Sequence, residues 1–161
     1  MSVTNRKPGS EFIATATATA VRRAALNLLA RREHSVLELH HKLRRRGFLP
    51  ELIGPVLEQL VAENLLNETR YAEVYAYGRV DKGYGPLRIS QELRERGVAE
   101  TIVAAILADL DDLWMKRLAA VRRKRFGAEL PKDAAGQAQQ LRFLRHRGFT
   151  VEQIKRLFRE S

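Results

Sequence analysis

The residues best suited to hold something in this chain are arginines, and they come in patterns. Leu-Arg-x-Arg-Gly followed by an apolar residue occurs three times: Leu43-Arg44-Arg45-Arg46-Gly47-Phe48, Leu93-Arg94-Glu95-Arg96-Gly97-Val98 and Leu144-Arg145-His146-Arg147-Gly148-Phe149. A denser run, Arg122-Arg123-Lys124-Arg125, has few acids nearby. A glycine-framed loop, Lys82-Gly83-Tyr84-Gly85-Pro86-Leu87-Arg88, adds two more cations and an aromatic ring. A guanidinium's planar fork meets carboxylate and phosphate oxygens in pairs, so the chemistry on offer is recognition of anions. Arginine supplies 22 of the 29 basic residues, and the formal net charge of +10 points to an acidic or polyanionic partner.

Groups for covalent chemistry are scarce. Without cysteine there is no thiol nucleophile, thiolate metal site or disulfide. Of the four histidines, His34, His40, His41 and His146, the adjacent pair would point about 100° apart on a helix and cannot form an i, i+4 ligand pair. Gly83-Tyr84-Gly85 matches only half of a dinucleotide-binding Gly-x-Gly-x-x-Gly, with Arg88 at the last position. Asp109, Asp111 and Asp112 read as a solvated helix end. The expectation is a binding protein, not an enzyme, with no catalytic residue, cofactor or metal.

Each candidate also has a structural explanation. An arginine in the last turn of a helix gains roughly 0.3–1 kcal/mol from the helix dipole, and duplication alone makes a motif recur. The arginines of the three copies are therefore either dipole partners or a stripe that tracks a repeating anionic partner. The run Arg122 to Arg125 wraps around more than one helix face and is expected to belong to a contact surface. Tyr84 either packs beneath a module interface or presents its ring to a partner. Tyr71 and Tyr75, spaced i, i+4, are expected to be partly core.

These residues need helices to position them. The motif glycines, Gly47, Gly97 and Gly148, lie 50 and 51 residues apart, and an apolar helical pattern follows each. Such a period marks stacked supersecondary units. In each copy the leucine is read as a buried anchor and the glycine as a left-handed helix stop. Ser35 and Glu38 form a capping box ahead of the first copy. Thr150 caps the last helix, and Pro50 and Pro86 suit first helical positions. Pro55 is either tolerated early in its helix or delays the helix start. No segment alternates as a strand would. The expected fold is all-α: three tandem three-helix modules (residues 21–66, 67–113 and 114–161) behind a disordered Ala/Thr-rich tail, residues 1–20. No stretch approaches the ~20 apolar residues that span a membrane, and no secretory-signal core is visible, so the cytoplasm is the expected location.

The segment Lys82-Gly83-Tyr84-Gly85-Pro86-Leu87-Arg88-Ile89, followed by Glu92-Leu93 and Arg96-Gly97-Val98, resembles the RecX family, bacterial regulators of the RecA recombinase. Ala25-x-x-Leu28-Leu29, Arg32-Glu33-His34-Ser35, Glu38-Leu39-x-x-Lys42-Leu43 and Arg70-Tyr71-Ala72 match as well, and the resemblance covers about Val21 to Glu160. Asn67 departs from the family's usual Asp, a change between two good helix caps. The resemblance implies an elongated, curved, solenoid-like arm of three repeats without catalytic residues or cofactors. It implies a protein that binds the RecA–single-stranded DNA filament and lowers ATP hydrolysis, strand exchange and co-protease activity; a monomer is expected. The alternative is a basic helical protein that acts directly on single- or double-stranded DNA. The candidate contact surface comprises Arg44, Arg45, Arg46, Lys82, Tyr84, Arg88, Arg94, Arg96, Arg122, Arg123, Lys124, Arg125, Arg145 and Arg147.

Overall fold

The computed structural model describes residues 8–160, with side chains from Thr17 onward. Among the described residues there are nine α-helices and no strand. They are α1 (Pro8–Arg31), α2 (Val36–Arg45), α3 (Pro50–Ala62), α4 (Glu68–Asp81), α5 (Pro86–Glu95), α6 (Glu100–Asp109), α7 (Asp111–Phe126), α8 (Ala134–Arg147) and α9 (Val151–Glu160). The chain divides into two compact units, Met1–Glu68 and Thr69–Ser161.

Helical backbone reaches back to Pro8, so part of the stretch expected as a disordered tail is helical; residues 1–7 of that stretch lie outside the described residues. Alanine is the best helix former, and extending a packed helix needs no new nucleus. The alternation of Ala and Thr hid this, because it provides no large apolar face.

In the first unit α1 packs on both α2 and α3. Val21, Ala25 and Leu28 come from α1, Leu39 and Leu43 from α2, and Ile53, Val56, Leu57 and Leu60 from α3, all buried in one core. These spacings of three and four are a helix's one-sided stripe. The Ser35 capping box forms as expected: Glu38 N–H donates to Ser35 Oγ at 3.1 Å, and Ser35 N–H donates to Glu38 Oε2 at 3.3 Å. Pro50 opens α3 and Pro55 sits inside it on the exposed side, where the carbonyl it leaves unpaired can meet water.

In the second unit α4 through α9 share one core, from Tyr71 and Val80 through Ile89, Leu93 and Trp114 to Phe149 and Ile154. The chain turns at Leu110, which separates α6 from α7 ahead of the expected start of a new module near Trp114. Leu110 and Trp114 are both buried in that core.

The three motif copies build one device. Gly47, Gly97 and Gly148 have φ of +91°, +78° and +102°. In each copy the apolar residue after the glycine donates its N–H to the motif leucine carbonyl: Phe48 to Leu43, Val98 to Leu93, Phe149 to Leu144. Each glycine N–H bonds the carbonyl of the first motif arginine, which completes a Schellman stop. Gly83, at φ +88°, ends α4 the same way, with Tyr84 N–H bonded to the Arg79 carbonyl.

Candidate functional site

The second unit brings together two motifs that lie far apart in the chain, around Gly85 and Gly148. Gly85 N–H donates to the Arg147 carbonyl and Leu87 N–H to the Gly148 carbonyl, both at 2.9 Å. The glycine-framed loop is thus laced to the third Arg-Gly corner. Both glycines are needed for contact this close. A Cβ on Gly85 would lie 2.5 Å from the Gly148 carbonyl carbon, and one on Gly148 would lie 2.4 Å from Arg88 Cβ.

Tyr84 projects into this junction. Three guanidiniums surround its ring, those of Arg79, Arg88 and Arg147 at 3.8, 4.5 and 5.0 Å from the centroid. The ring is half-buried and packs against the second core. Below it, one carboxylate gathers the polar groups. Glu92 accepts from the Tyr75 hydroxyl at 2.5 Å, from Arg79 at 2.6 Å and from Arg88 Nε at 3.2 Å. Burial pushes the Glu92 carboxyl up, but these three hydrogen bonds and the Arg79 charge outweigh it and leave the group below its ordinary value. Burial, with the hydroxyl's bond to Glu92, raises Tyr75 to about 12. The Arg88–Glu92 pair was visible in the sequence as an i, i+4 spacing. Arg79 and Tyr75 arrive from another helix and carried no such signal.

The candidate cations divide sharply. Arg44, Arg45 and Arg46 are exposed in the first unit, at the end of α2. In the second unit Arg94 is exposed and paired with Glu100. Arg96 lies over the Tyr75 ring at 4.6 Å and donates to the Glu92 carbonyl. Arg147 donates to the Lys82 carbonyl as well as covering Tyr84. The second and third motif arginines are thus largely used to hold the fold; Arg145 stays exposed.

Arg122 overturns part of the expectation for the basic run. It is 5% exposed. Its guanidinium donates to the carbonyls of Gly127, Ala128 and Glu129 at 3.1–3.3 Å, and to Gln140 Oε1 at 3.4 Å. Four successive residues cover every side of a helix, so one had to face inward, and this one satisfies the carbonyls beyond the end of α7. Arg122→Ala is expected to destabilise the second unit by about 2 kcal/mol, since four charge-assisted hydrogen bonds and the packing of a buried side chain are lost together. Exposed Arg123→Ala should change stability by no more than about 0.5 kcal/mol. Urea unfolding followed by Trp114 fluorescence measures both, because the chain's single tryptophan lies in this core.

Arg123, Lys124 and Arg125 remain exposed. Lys124 and Arg125 share a cleft of about 320 Å3 with Lys82, Arg117 and Arg147. Val80, Val121 and Phe143 supply its apolar lining. Arg117 belongs to the basic pair Lys116-Arg117 but was not among the candidate contacts, because two cations make no run, and Phe143 carries neither charge nor repeat to mark it. Among the described residues no group of His, Cys, Asp and Glu is arranged to hold a metal, and no helix is long and apolar enough to cross a membrane.

Comparison with known proteins decides the family. Residues 22–60 match the model described as RecX, first three-helix domain, and residues 67–107 match RecX, second three-helix domain. A protein named Regulatory protein RecX from Halorhodospira halophila is 50% identical over 140 residues, which cover 87% of each chain. The chain belongs to the RecX family. A RecX relative of the same name from Pseudomonas syringae pv. tomato is 46% identical over 141 residues, 88% of this chain and 91% of that one. The fold is shared more widely. A crystal structure of RecX from Lactobacillus salivarius superposes with a TM-score of 0.78 at 22% identity, over 91% of this chain and 97% of that one. A second crystal structure, of a regulatory protein RecX, gives 0.82 at 20% identity, over 100% of this chain and 83% of that one. The two matched RecX segments divide between the two units, the first within Met1–Glu68 and the second almost wholly within Thr69–Ser161.

Proposed function

We propose that this chain binds the RecA–single-stranded DNA filament and lowers its ATP hydrolysis, strand exchange and co-protease activity. Membership of the RecX family, whose relatives are named regulatory proteins, carries this reading. The net charge of +10 and the exposed cations support it. The contacts are assigned to Arg44, Arg45 and Arg46 on the first unit and to Lys82, Arg123, Lys124, Arg125 and Arg145 on the second. The protein acts as a monomer in the cytoplasm, without catalysis. A bound regulator shifts a filament only by its differential affinity for the filament's conformations. Purified protein added to RecA–single-stranded DNA filaments should slow ATP turnover when present below one molecule per RecA subunit. Unchanged turnover at saturating amounts would overturn the reading.

A second reading, direct action on DNA, is favoured by the same net charge. It predicts tight binding to DNA without RecA, falling steeply with salt as counterions are released. A shallow salt slope and weak binding to bare DNA leave the filament as the target.

A further inference from the structure

The cleft between the end of α4, α7 and α8 does more than add charge to a surface. Its cations come from three separate elements: Lys82 after α4, Arg117, Lys124 and Arg125 on α7, and Arg147 on α8. They converge on one hollow, where a backbone-tracking stripe would be strung along a single face. Only Asp81 answers them from the cleft wall, and it is paired with Arg117 at 3.2 Å. Lys82, Lys124, Arg125 and Arg147 have no carboxylate partner among the described residues.

The apolar lining narrows the choice of ligand. Volumes of about 300–1,000 Å3 are usual for sites that hold small groups, and this hollow of about 320 Å3 lies at the lower end. Its aromatic ring is already engaged. Phe143 meets Phe126 edge-on at 5.4 Å, and the guanidiniums of Arg125 and Arg147 lie over it at 5.5 and 5.6 Å. A nucleic-acid base needs an open ring to stack on, and Phe143 does not offer one. Arg147 is partly engaged by the Lys82 carbonyl, while the exposed Arg125 guanidinium keeps its N–H edges for paired oxygens.

We infer that this cleft is a docking site for an acidic peptide segment, with an apolar side chain seated over Ala120 and Val121 and carboxylates on either side held by the surrounding cations. The inference deepens the filament reading and rests on it for a protein partner.

The test uses the full chain and no filament. The probe is a fluorescein-labelled peptide with one leucine flanked on each side by three aspartates, read by fluorescence anisotropy. It should bind. Lys82→Glu combined with Lys124→Glu should weaken binding by about tenfold or more, since both partners of the carboxylates reverse sign. Arg44→Glu with Arg45→Glu changes net charge equally in the other unit and should cost less than about threefold. Replacing the peptide's leucine with glycine should weaken binding by about threefold or more. The circular dichroism of each variant checks that it is folded. No binding, equal losses from the two double variants, indifference to the leucine, or displacement by a twelve-residue oligo-thymidylate at lower concentration than by the unlabelled peptide would each overturn the proposal. Slowed filament turnover with no peptide binding would sink the cleft alone, and peptide binding with unchanged turnover would sink the filament reading alone.

Discussion

Gly148→Ala should destabilise the second unit by about 3 kcal/mol, while Gly47→Ala, at the same place in another copy of the motif, should cost the first unit only about 1 kcal/mol. Both residues sit at positive φ, +102° and +91°, so each alanine carries the left-handed penalty. The difference lies in what surrounds them. A Cβ on Gly47 meets nothing within 4 Å. A Cβ on Gly148 falls 2.4 Å from Arg88 Cβ and 2.7 Å from the Arg88 backbone nitrogen. Backbone cannot swing aside as a side-chain tip can, so the loop from Gly85 to Leu87 must leave the corner and forfeit two hydrogen bonds of 2.9 Å. Gly85→Ala should cost nearly as much, because its Cβ strikes the Gly148–Phe149 peptide across the same junction, although its own φ of −95° carries no left-handed penalty. Urea titrations followed by Trp114 fluorescence for the two second-unit variants, and by circular dichroism for Gly47→Ala, decide the matter. Equal costs at Gly47 and Gly148 would show that the loop yields, and that the junction is not close-packed.

Glu92→Gln should remove about 2 kcal/mol and change the response to acid. Taking one partner from a buried charge pair costs about 3–5 kcal/mol. The figure is reduced here because the Glu92 side chain is 15% exposed and Arg88 is 36% exposed, so water screens part of the loss. The amide keeps the shape but not the charge that Arg79 and Arg88 share. The pH dependence follows from the sign. The Glu92 carboxyl is held below its ordinary 4.5, so the stability it contributes is complete above that value and drains away as pH falls through the lowered one. The variant should be less stable near neutrality and lose less on acidification. Tyr75 works in the opposite sense. Raised from 10.0 to about 12, it contributes fully below pH 10 and loses that contribution as pH climbs toward 12. A stability profile from pH 3 to 7 that stays parallel for the two proteins would remove Glu92 from the role of shared counter-ion.

Much of the candidate site was legible as chemistry but not as geometry. The Leu-x-x-x-Gly frame of each motif was read correctly because a helix stop is local: six consecutive residues, from the leucine to the apolar residue after the glycine, make both of its hydrogen bonds. The Ser35–Glu38 capping box and the start of α5 at Pro86 were legible for the same reason. The arginines could not be apportioned in this way. Arg122, Arg123, Lys124 and Arg125 are alike in sequence, yet one reaches back to four oxygens while the others face solvent. Which of four helical faces is inward depends on where α8 and its Gln140 lie, and no residue in the run records that. Arg96 and Arg147 likewise look like surface charges until the rings of Tyr75 and Tyr84 are placed beneath them.

By itself the sequence determined the helical class, the stops and caps, and the stripes of Ile53 to Leu60 and Val21 to Leu28, since each follows from spacing along a few turns. Only the tertiary structure decided that the glycine-framed loop docks on the third Arg-Gly corner, that Glu92 answers three donors, and that Lys82, Arg117, Lys124 and Arg147 line a single cleft. Those pairings span from 4 to 65 residues of chain, and except for the Arg88–Glu92 pair they are fixed by packing around a shared core, where shape and burial select partners that local pattern cannot name.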